Sequence, residues 1–214
     1  MSEKKVILVL GQRGGGKSYL ANEMLPEYPR YLIYDTLGEY SRGVAFLTLQ
    51  ELKDFWGKSY QRNFRLIYQP VNPIEDFDEV CDLVYSLGDM MFLVEEIDTF
   101  CSSQTISTAF ANIIQRGRHK NITLIGVSQR PYGIHRLITS QAKEIYSFLH
   151  REPRDVEYLK SFIGSEAEKV RDLPRYHYLL WRGGKGISIQ KGLSGEAITG
   201  EKNINSKEIN EKKV

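Results

Sequence analysis

The chain has few of the features that mark secreted, membrane-spanning or nucleic-acid-coating proteins. Its two cysteines, Cys81 and Cys101, show neither a metal-ligand spacing nor a disulfide framework. No apolar run approaches the roughly 20 residues that span a bilayer, and Met1 to Lys5 leave no room for a signal peptide before the first apolar run. A net charge of +2 argues against a broadly basic coat protein. We therefore expect a cytoplasmic protein without a membrane span.

Short apolar runs alternate with helix-like stretches along most of the chain. This alternation predicts an α/β fold, with repeated strand–helix–strand units and a mostly parallel sheet that carries helices on both faces. The runs that predict strands are 6–10, 31–34, 64–68, 91–94, 122–127, 144–149 and 177–181. The stretches that predict helices are 19–25, 48–56, 76–87, 105–117 and 153–163.

The C-terminal part of the chain departs from this alternation. Two short strands flank the glycine-rich stretch 182–186, which predicts a C-terminal β-hairpin. From Ser194 onward the chain has no aromatic residue and mixes lysine, glutamate and asparagine, as flexible polar tails do. We therefore expect one domain over residues 1–193, followed by a tail over 194–214.

The most specific motif is the segment 11–18, which reads Gly-Gln-Arg-Gly-Gly-Gly-Lys-Ser directly after an apolar run. It matches the phosphate-binding P-loop (Walker A) pattern between a predicted strand and a predicted helix. The glycines let the backbone aim N–H groups at a polyphosphate, Lys17 can reach the β- and γ-phosphates, and Ser18 can ligate Mg²⁺. We therefore predict that the chain binds ATP and Mg²⁺. The predicted nucleotide-binding residues are Gly11, Gly14, Gly15, Gly16, Lys17, Ser18 and Tyr19.

A second, acidic signature (Walker B) follows the apolar run 91–94, which continues into Glu95 and Glu96. A buried parallel strand that ends in two carboxylates places them at the edge where the P-loop opens. In P-loop ATPases the first acid orients Mg²⁺ and the second activates the attacking water. We therefore predict Glu95, with Ser18, at the metal and Glu96 as the general base. Because Glu95 stands where aspartate is more common, the roles could shift by a residue, or Asp98 could support the metal ligands without binding the metal itself; a solvated acidic strand end is the alternative.

Three further segments follow in a characteristic order. Residues 31–41 form an apolar strand followed by Asp35 and Gly-Glu-Tyr, 115–120 end a predicted helix with a basic cluster, and 122–131 form a strand that ends in Ser-Gln-Arg-Pro. In this order the chain resembles the FtsK–HerA superfamily of DNA-pumping ATPases over residues 6–159. The resemblance implies a P-loop NTPase of the additional-strand, catalytic-glutamate type. It also implies a homo-oligomeric ring, a pentamer or hexamer, that hydrolyses ATP to translocate double-stranded DNA.

The resemblance also assigns catalytic roles outside the two acidic residues. Gln129 matches a polar sensor whose amide can bond both the γ-phosphate and the attacking water. Arg116 and Arg118 match the position of an arginine that reaches the neighbouring subunit's nucleotide, a task that suits the planar guanidinium. The alternatives are a buried structural amide for Gln129 and a solvated basic helix end for the arginines. We expect His119 and Lys120 at the surface or on nucleic acid.

The size of the chain narrows the resemblance further. A bare ATPase core of this length resembles the genome-packaging ATPases of internal-membrane viruses with double-jelly-roll capsids. This implies packaging of a viral genome into a preformed capsid, capsid vertex proteins as partners, and a place in the host cytoplasm or on the virion. Three alternatives stay open: a filamentous-phage assembly ATPase related to the zonula occludens toxin, a small-molecule P-loop kinase, and a nucleotide-dependent binding module.

Overall fold

The computed structural model describes residues 5–59 and 61–192, so the predicted tail over 194–214 lies outside the described residues. Nine strands are present in this part of the chain. Their bounds are β1 Val6–Leu10, β2 Tyr31–Tyr34, β3 Val44–Phe46, β4 Arg65–Tyr68, β5 Met90–Val94, β6 Ile122–Ser128, β7 Ala142–Ser147, β8 His177–Arg182 and β9 Gly186–Lys191. All nine belong to one sheet, in the order β3-β4-β2-β5-β6-β1-β7-β8-β9.

Six α-helices connect the strands over the described residues. Their bounds are α1 Lys17–Met24, α2 Leu49–Ser59, α3 Pro73–Leu87, α4 Thr108–Arg116, α5 Arg136–Gln141 and α6 Pro153–Ile163. Local sequence explains several of these starts. Prolines open α3 and α6, where the missing N–H is no loss, and the Ser107 side chain accepts the Phe110 N–H at the start of α4. The α1 helix passes into a 3₁₀ turn at Leu25–Glu27, which contains Pro26.

The sheet is mostly parallel, as the alternation of strands and helices predicts. Strands β1 to β7 pair in parallel, and β8 and β9 add an antiparallel hairpin at one side. Strand β6 lies between β1, which precedes the P-loop, and β5, which ends in the two glutamates. This is the additional strand of the predicted class, and the prediction of a P-loop α/β fold with a C-terminal hairpin is confirmed.

Helices cover both faces of the sheet, although unevenly. The α1 helix packs on one face with a cluster that includes Val9 and Ile125, and helices α2 to α6 pack on the other face with Leu8 and Phe92. Strands β1 and β5 are buried along their whole length, and each fully buried aliphatic side chain contributes about 1.5–3 kcal/mol. The buried centre therefore holds the carboxyl ends of β1, β5 and β6 at one edge, where the polar residues of the motifs follow.

Candidate active site

The P-loop runs from the end of β1 to the start of α1, and its glycines allow close approach to other parts of the chain. A Cβ at Gly11 would lie 2.6 Å from the Cβ of Phe148. Gly16 has a φ of 104°, and a Cβ there would lie 3.3 Å from the Tyr176 ring. Side chains at these two positions would therefore displace the strand β7 end or the hairpin that packs on the loop.

The start of α1 leaves backbone donors free for an anion. Gly16 is the N-cap and supplies no capping side chain, and the first turn carries no acidic residue. Lys17 is buried, and its Nζ donates to the carbonyl oxygen of Gln12 over 3.3 Å. Burial lowers the pKa of Lys17 from its usual value, while the nearby charges of Glu95 and Glu39 raise it. The free N–H groups and this ammonium have the arrangement of an anion site typical of P-loops.

Most of the predicted site residues line one cavity of about 360 Å³, the phosphate cavity. It is lined by Gly14, Gly16, Lys17, Ser18, Tyr19, Glu95, Glu96 and Gln129. Arg13, Leu37 and Glu39, which carried no prediction, line it as well. Of the other two predicted glycines, Gly11 packs on Phe148 and Gly15 donates its N–H to the Gln12 carbonyl over 3.2 Å. The structure thus places these two in the loop itself and not in the cavity wall.

Glu95 is held at both of its carboxylate oxygens. The Ser18 hydroxyl donates to Oε1 over 3.2 Å, and the Tyr40 hydroxyl donates to Oε2 over 2.7 Å. Burial raises the pKa of Glu95 to about 7, against the opposing effect of these two hydrogen bonds. The pairing with Ser18 is the contact expected if both groups bind one metal ion.

Glu96 and Gln129 form a second pair in the same cavity. The Gln129 amide donates from Nε2 to Oε1 of Glu96 over 2.8 Å. Glu96 has a φ of 49°, a left-handed conformation that is uncommon outside glycine. Such backbone costs about 1–3 kcal/mol and is found most often at functional sites. The separate partners of Glu95 and Glu96 favour separate roles for them.

The donors present fit Mg²⁺ better than a metal that needs an all-protein cage. Within residues 5–59 and 61–192, no group of three or more histidine, cysteine, aspartate or glutamate side chains could hold a metal ion. Mg²⁺ binds through one or two carboxylates together with water and nucleotide phosphates. The Ser18 hydroxyl and the Glu95 carboxylate, which lie side by side at the phosphate cavity, supply oxygen donors of this kind.

The sequence marks Asp35 and the Gly-Glu-Tyr segment as part of the resemblance but does not predict their place in the site. Asp35 is 1% exposed. Its Oδ1 accepts the N–H of Glu39 over 3.1 Å, and its Oδ2 accepts the N–H of Tyr40 over 3.2 Å and the Gln69 amide over 3.0 Å. The signal in the sequence was an acidic residue at a strand end, followed by a tyrosine five positions later. This spacing does not show which groups come into contact, because the contacts form only when the loop folds.

An aromatic cavity of about 150 Å³ adjoins the phosphate cavity and shares Gly16 and Tyr19 with it. Phe148, Tyr176 and Tyr178 supply its other rings. Tyr176 has a φ of 63°, which is rare for a bulky residue, and its carbonyl accepts the Gly192 N–H over 2.7 Å at the foot of the hairpin. The hairpin thereby presents an aromatic ring beside the first turn of α1.

The structure does not bring Arg116 and Arg118, the candidate arginine fingers for a neighbouring subunit's nucleotide, to the phosphate cavity. Helix α4 ends at Arg116, and Arg118 lies in the following 3₁₀ turn just before β6 begins. Because β6 is parallel to β1, this turn lies at the edge of the sheet opposite the P-loop. Both arginines are exposed. Asp98, the alternative support for the metal ligands, lies beside Gly133 with its Oδ1 buried and without a hydrogen-bond partner.

The structure also describes the two cysteines and the character of the helices. Cys81 and Cys101 are free thiols. In the part of the chain that is described, none of the helices has the length and apolar character needed to cross a membrane.

Comparison with known proteins places these features in context. No protein-family model matches the chain. The DNA packaging ATPase P9 of Enterobacteria phage PRD1 is 24% identical over 185 residues, which cover 81% of this chain and 76% of that protein. A second relative is the genome packaging NTPase B204 of Sulfolobus turreted icosahedral virus 2, solved in complex with AMP. It is 25% identical and has a TM-score of 0.73, and the match covers 91% of this chain and 100% of that one.

A more distant neighbour shows how widely the fold is shared. The N-terminal domain of zonular occludens toxin from Neisseria meningitidis has a TM-score of 0.55 at 11% identity, covering 92% of this chain and 98% of that one. At this identity the likeness concerns the fold alone. The two viral relatives are an ATPase and an NTPase by name, which supports the prediction of ATP hydrolysis. The comparisons confirm that this chain resembles the viral genome-packaging ATPases of the P-loop fold, as the order of its motifs indicated.

Proposed function

We propose that this chain is the Mg²⁺-dependent ATPase subunit of a ring motor that translocates double-stranded DNA and packages a viral genome into a preformed capsid. The observation that carries the proposal is the meeting of Lys17, the Ser18–Glu95 pair and the Glu96–Gln129 pair in one cavity. The similarity to packaging ATPase P9 over most of both chains adds the biological context.

The residues of the cavity divide the work of hydrolysis. Lys17 and the free N–H groups of α1 bind the phosphate oxygens and offset their charge. A Mg²⁺ ion bound by Ser18 and Glu95 would neutralise charge that develops on the β- and γ-oxygens. Glu96 accepts the proton of the attacking water, and Gln129, already bonded to Glu96, orients that water. Glu96 suits this role because its carboxylate lies at the cavity and accepts only one described side-chain hydrogen bond.

We infer that the nucleobase occupies the aromatic cavity beside Gly16 and Tyr19. Stacking on an aromatic ring contributes about 1–3 kcal/mol per base and tolerates different bases. Tyr176→Leu should therefore weaken ATP binding but leave inorganic tripolyphosphate binding unchanged. The control is Tyr85→Leu, because both tyrosines are half-buried and each has a cation over its ring. The Arg175 Cζ lies 4.7 Å from the ring centre of Tyr176, and the Lys120 Nζ lies 5.6 Å from that of Tyr85. An equal loss of both ligands would mean that Tyr176 only supports the P-loop.

The position of the basic turn supports assembly into a ring. Arg116 and Arg118 lie at the sheet edge opposite their own P-loop, so they can act on a nucleotide only in another subunit. A head-to-tail arrangement, in which one edge of a subunit faces the opposite edge of the next, forms a ring when the rotation between subunits closes on itself. Such a ring also gives the DNA a central path.

The test is the ATPase rate with and without double-stranded DNA, measured beside the mass of the assembly in the same buffer. A motor should form a closed oligomer whose hydrolysis rises on DNA, and Lys17→Ala should abolish turnover in both conditions. A kinase would instead consume ATP with a metabolite acceptor, and a binding module would turn over little ATP under any condition. A monomer whose hydrolysis ignores DNA would overturn the motor.

A further inference from the structure

A buried carboxylate clamps the loop that follows strand β2. Asp35 binds the N–H groups of Glu39 and Tyr40 and the side-chain amide of Gln69, all within 3.0–3.2 Å. A carboxylate that is 1% exposed is costly to bury unless its oxygens are bonded in this way. The clamp closes residues 35–40 into a tight loop and fixes the backbone position of Tyr40.

Tyr40 leaves this loop toward the metal-binding carboxylate. It is 5% exposed, and its hydroxyl lies 2.7 Å from Oε2 of Glu95. Glu95 occupies the place that aspartate more commonly holds in P-loop ATPases, and its side chain has one more rotatable bond. Fixing the longer chain costs more side-chain entropy, and Ser18 holds only one of the two oxygens. A second donor on Oε2 removes the remaining freedom.

We propose that Tyr40 is a positioning residue that holds Glu95 in the orientation needed for Mg²⁺, and that Asp35 sets the place of Tyr40 by clamping the loop. The proposal rests on the metal role of Glu95 in the proposed function. It assigns a task to the Asp35 and Gly-Glu-Tyr segment, which follows β2 and is separated from the P-loop strand β1 by two strands. Partners of this kind, which orient a metal ligand without touching the metal, typically change metal affinity or activity by 10- to 100-fold when removed.

The test removes the Tyr40 hydroxyl and keeps its ring. In Tyr40→Phe we expect the Mg²⁺ concentration for half-maximal hydrolysis to rise by about 10- to 100-fold. Affinity for a fluorescent ATP analogue should fall in the presence of Mg²⁺ but stay unchanged in EDTA. Binding in EDTA also reports that the variant is folded. If Tyr40→Phe is poorly soluble, Asp35→Asn serves instead and should shift the Mg²⁺ requirement in the same direction.

The chain offers a closely matched control in Tyr68. Its hydroxyl donates to Oδ2 of Asp76 over 2.7 Å, so Tyr68→Phe also removes a hydrogen bond from a buried tyrosine to a carboxylate. We expect Tyr68→Phe to lower thermal stability to a similar degree and to leave the Mg²⁺ requirement at the wild-type value. A change in both variants would show that the effect is one of general stability, and would overturn the proposal.

A double-mutant cycle tests the contact itself. Glu95→Asp shortens the side chain, so its carboxylate can no longer meet the Tyr40 hydroxyl, and Tyr40→Phe should then have little further effect. Additive effects on the Mg²⁺ requirement would mean that the two residues act independently. The two proposals fail differently: an unchanged Mg²⁺ requirement in Glu95→Ala removes the metal role of Glu95. If Glu95→Ala raises the Mg²⁺ requirement and Tyr40→Phe does not, only the positioning role of Tyr40 is removed.

Discussion

The side-chain amide of Gln129 donates to the carboxylate of Glu96 over 2.8 Å, and this contact joins the ends of two neighbouring strands. Strand β5 ends one residue before Glu95, and strand β6 ends at the residue before Gln129. The predicted sensor therefore touches the predicted base. A group that binds both the base and the γ-phosphate can change partners when the phosphate leaves, which is the behaviour required of a sensor.

Replacing Glu96 should separate nucleotide binding from chemistry. Glu96→Gln keeps the size of the side chain and a hydrogen bond to Gln129 but removes the proton acceptor. We expect ATP to bind with near-normal affinity while hydrolysis falls by roughly 10²–10⁴-fold. Equilibrium binding and single-turnover rates check this. If Glu95→Gln traps bound ATP and Glu96→Gln does not, the roles of the two glutamates are reversed.

Removing the Gln129 amide should slow hydrolysis without weakening binding. Gln129→Ala leaves the P-loop and Glu95 intact, so nucleotide affinity should stay within a few-fold of normal. The rate per folded subunit should fall, because the base and the water lose the group that aligns them. The measurement is specific activity on protein whose folded fraction is known from nucleotide binding. Normal specific activity in a smaller folded fraction would instead support a structural role for Gln129.

We predict that His150 makes the stability of the fold depend on pH. It is 1% exposed, and neither ring nitrogen has a hydrogen-bond partner. Burial, with a smaller effect of the Lys17 charge, lowers the pKa of His150 to about 3. The folded state therefore keeps the ring neutral while the unfolded chain protonates below its usual pKa of about 6.5. The stability associated with the neutral ring is complete above that pH and is lost as the pH falls.

The expected loss follows from linkage. Between about pH 6.5 and pH 5, proton uptake by the unfolded chain at this one site lowers the free energy of unfolding by about 2 kcal/mol. His150→Leu has no such titration, so the variant should gain about 2 kcal/mol relative to the wild type over that range. Denaturant unfolding of both proteins at several pH values measures the difference. Parallel pH profiles would show that His150 does not carry this dependence.

Most of the fold could be predicted because apolar runs report burial directly. The run Met91-Phe92-Leu93-Val94 forms the last four of the five residues of β5, and the helix predicted over 153–163 has those bounds. Strand β3 was missed because it has three residues, and Val44 and Ala45 are exposed, so it carries no buried pattern. Helix α5 was missed because it has six residues, fewer than two helical turns.

The candidate site was predictable where one motif holds all its residues, as in the P-loop. Residues 35–40 were visible in the sequence, but the reach of Tyr40 to Glu95 depends on a buried clamp that includes Gln69, 34 positions after Asp35. The place of Tyr176 depends on the hairpin that packs against Gly16. Contacts that join distant segments cannot be derived from local spacing, because spacing fixes only what lies within a turn of helix or a strand pair.

The last prediction concerns whether activity depends on a neighbouring subunit. An arginine that reaches the γ-phosphate in trans contributes roughly 10³–10⁵ in rate, or about 4–7 kcal/mol at 1.36 kcal/mol per decade. A solvated arginine at a helix end contributes only about 0.3–1 kcal/mol, and to stability instead of rate. Arg118→Ala should therefore abolish hydrolysis while leaving the protein folded. We favour Arg118 over Arg116 because it lies nearer the start of β6.

Mixing two inactive variants decides between these interpretations. An Arg118→Ala subunit keeps its phosphate loop, and a Lys17→Ala subunit keeps its arginine, so some interfaces of a mixed ring pair an intact loop with an intact finger. Part of the activity should return on mixing, and specific activity should fall on dilution as the ring dissociates. The same mixture made with Arg116→Ala identifies which arginine is the finger. Lys120→Ala, in the same exposed turn, is the control and should be active alone. An arginine at the edge opposite its own P-loop can reach a γ-phosphate only in another subunit. Normal hydrolysis by both arginine variants, at a specific activity that dilution does not change, would therefore contradict action in trans.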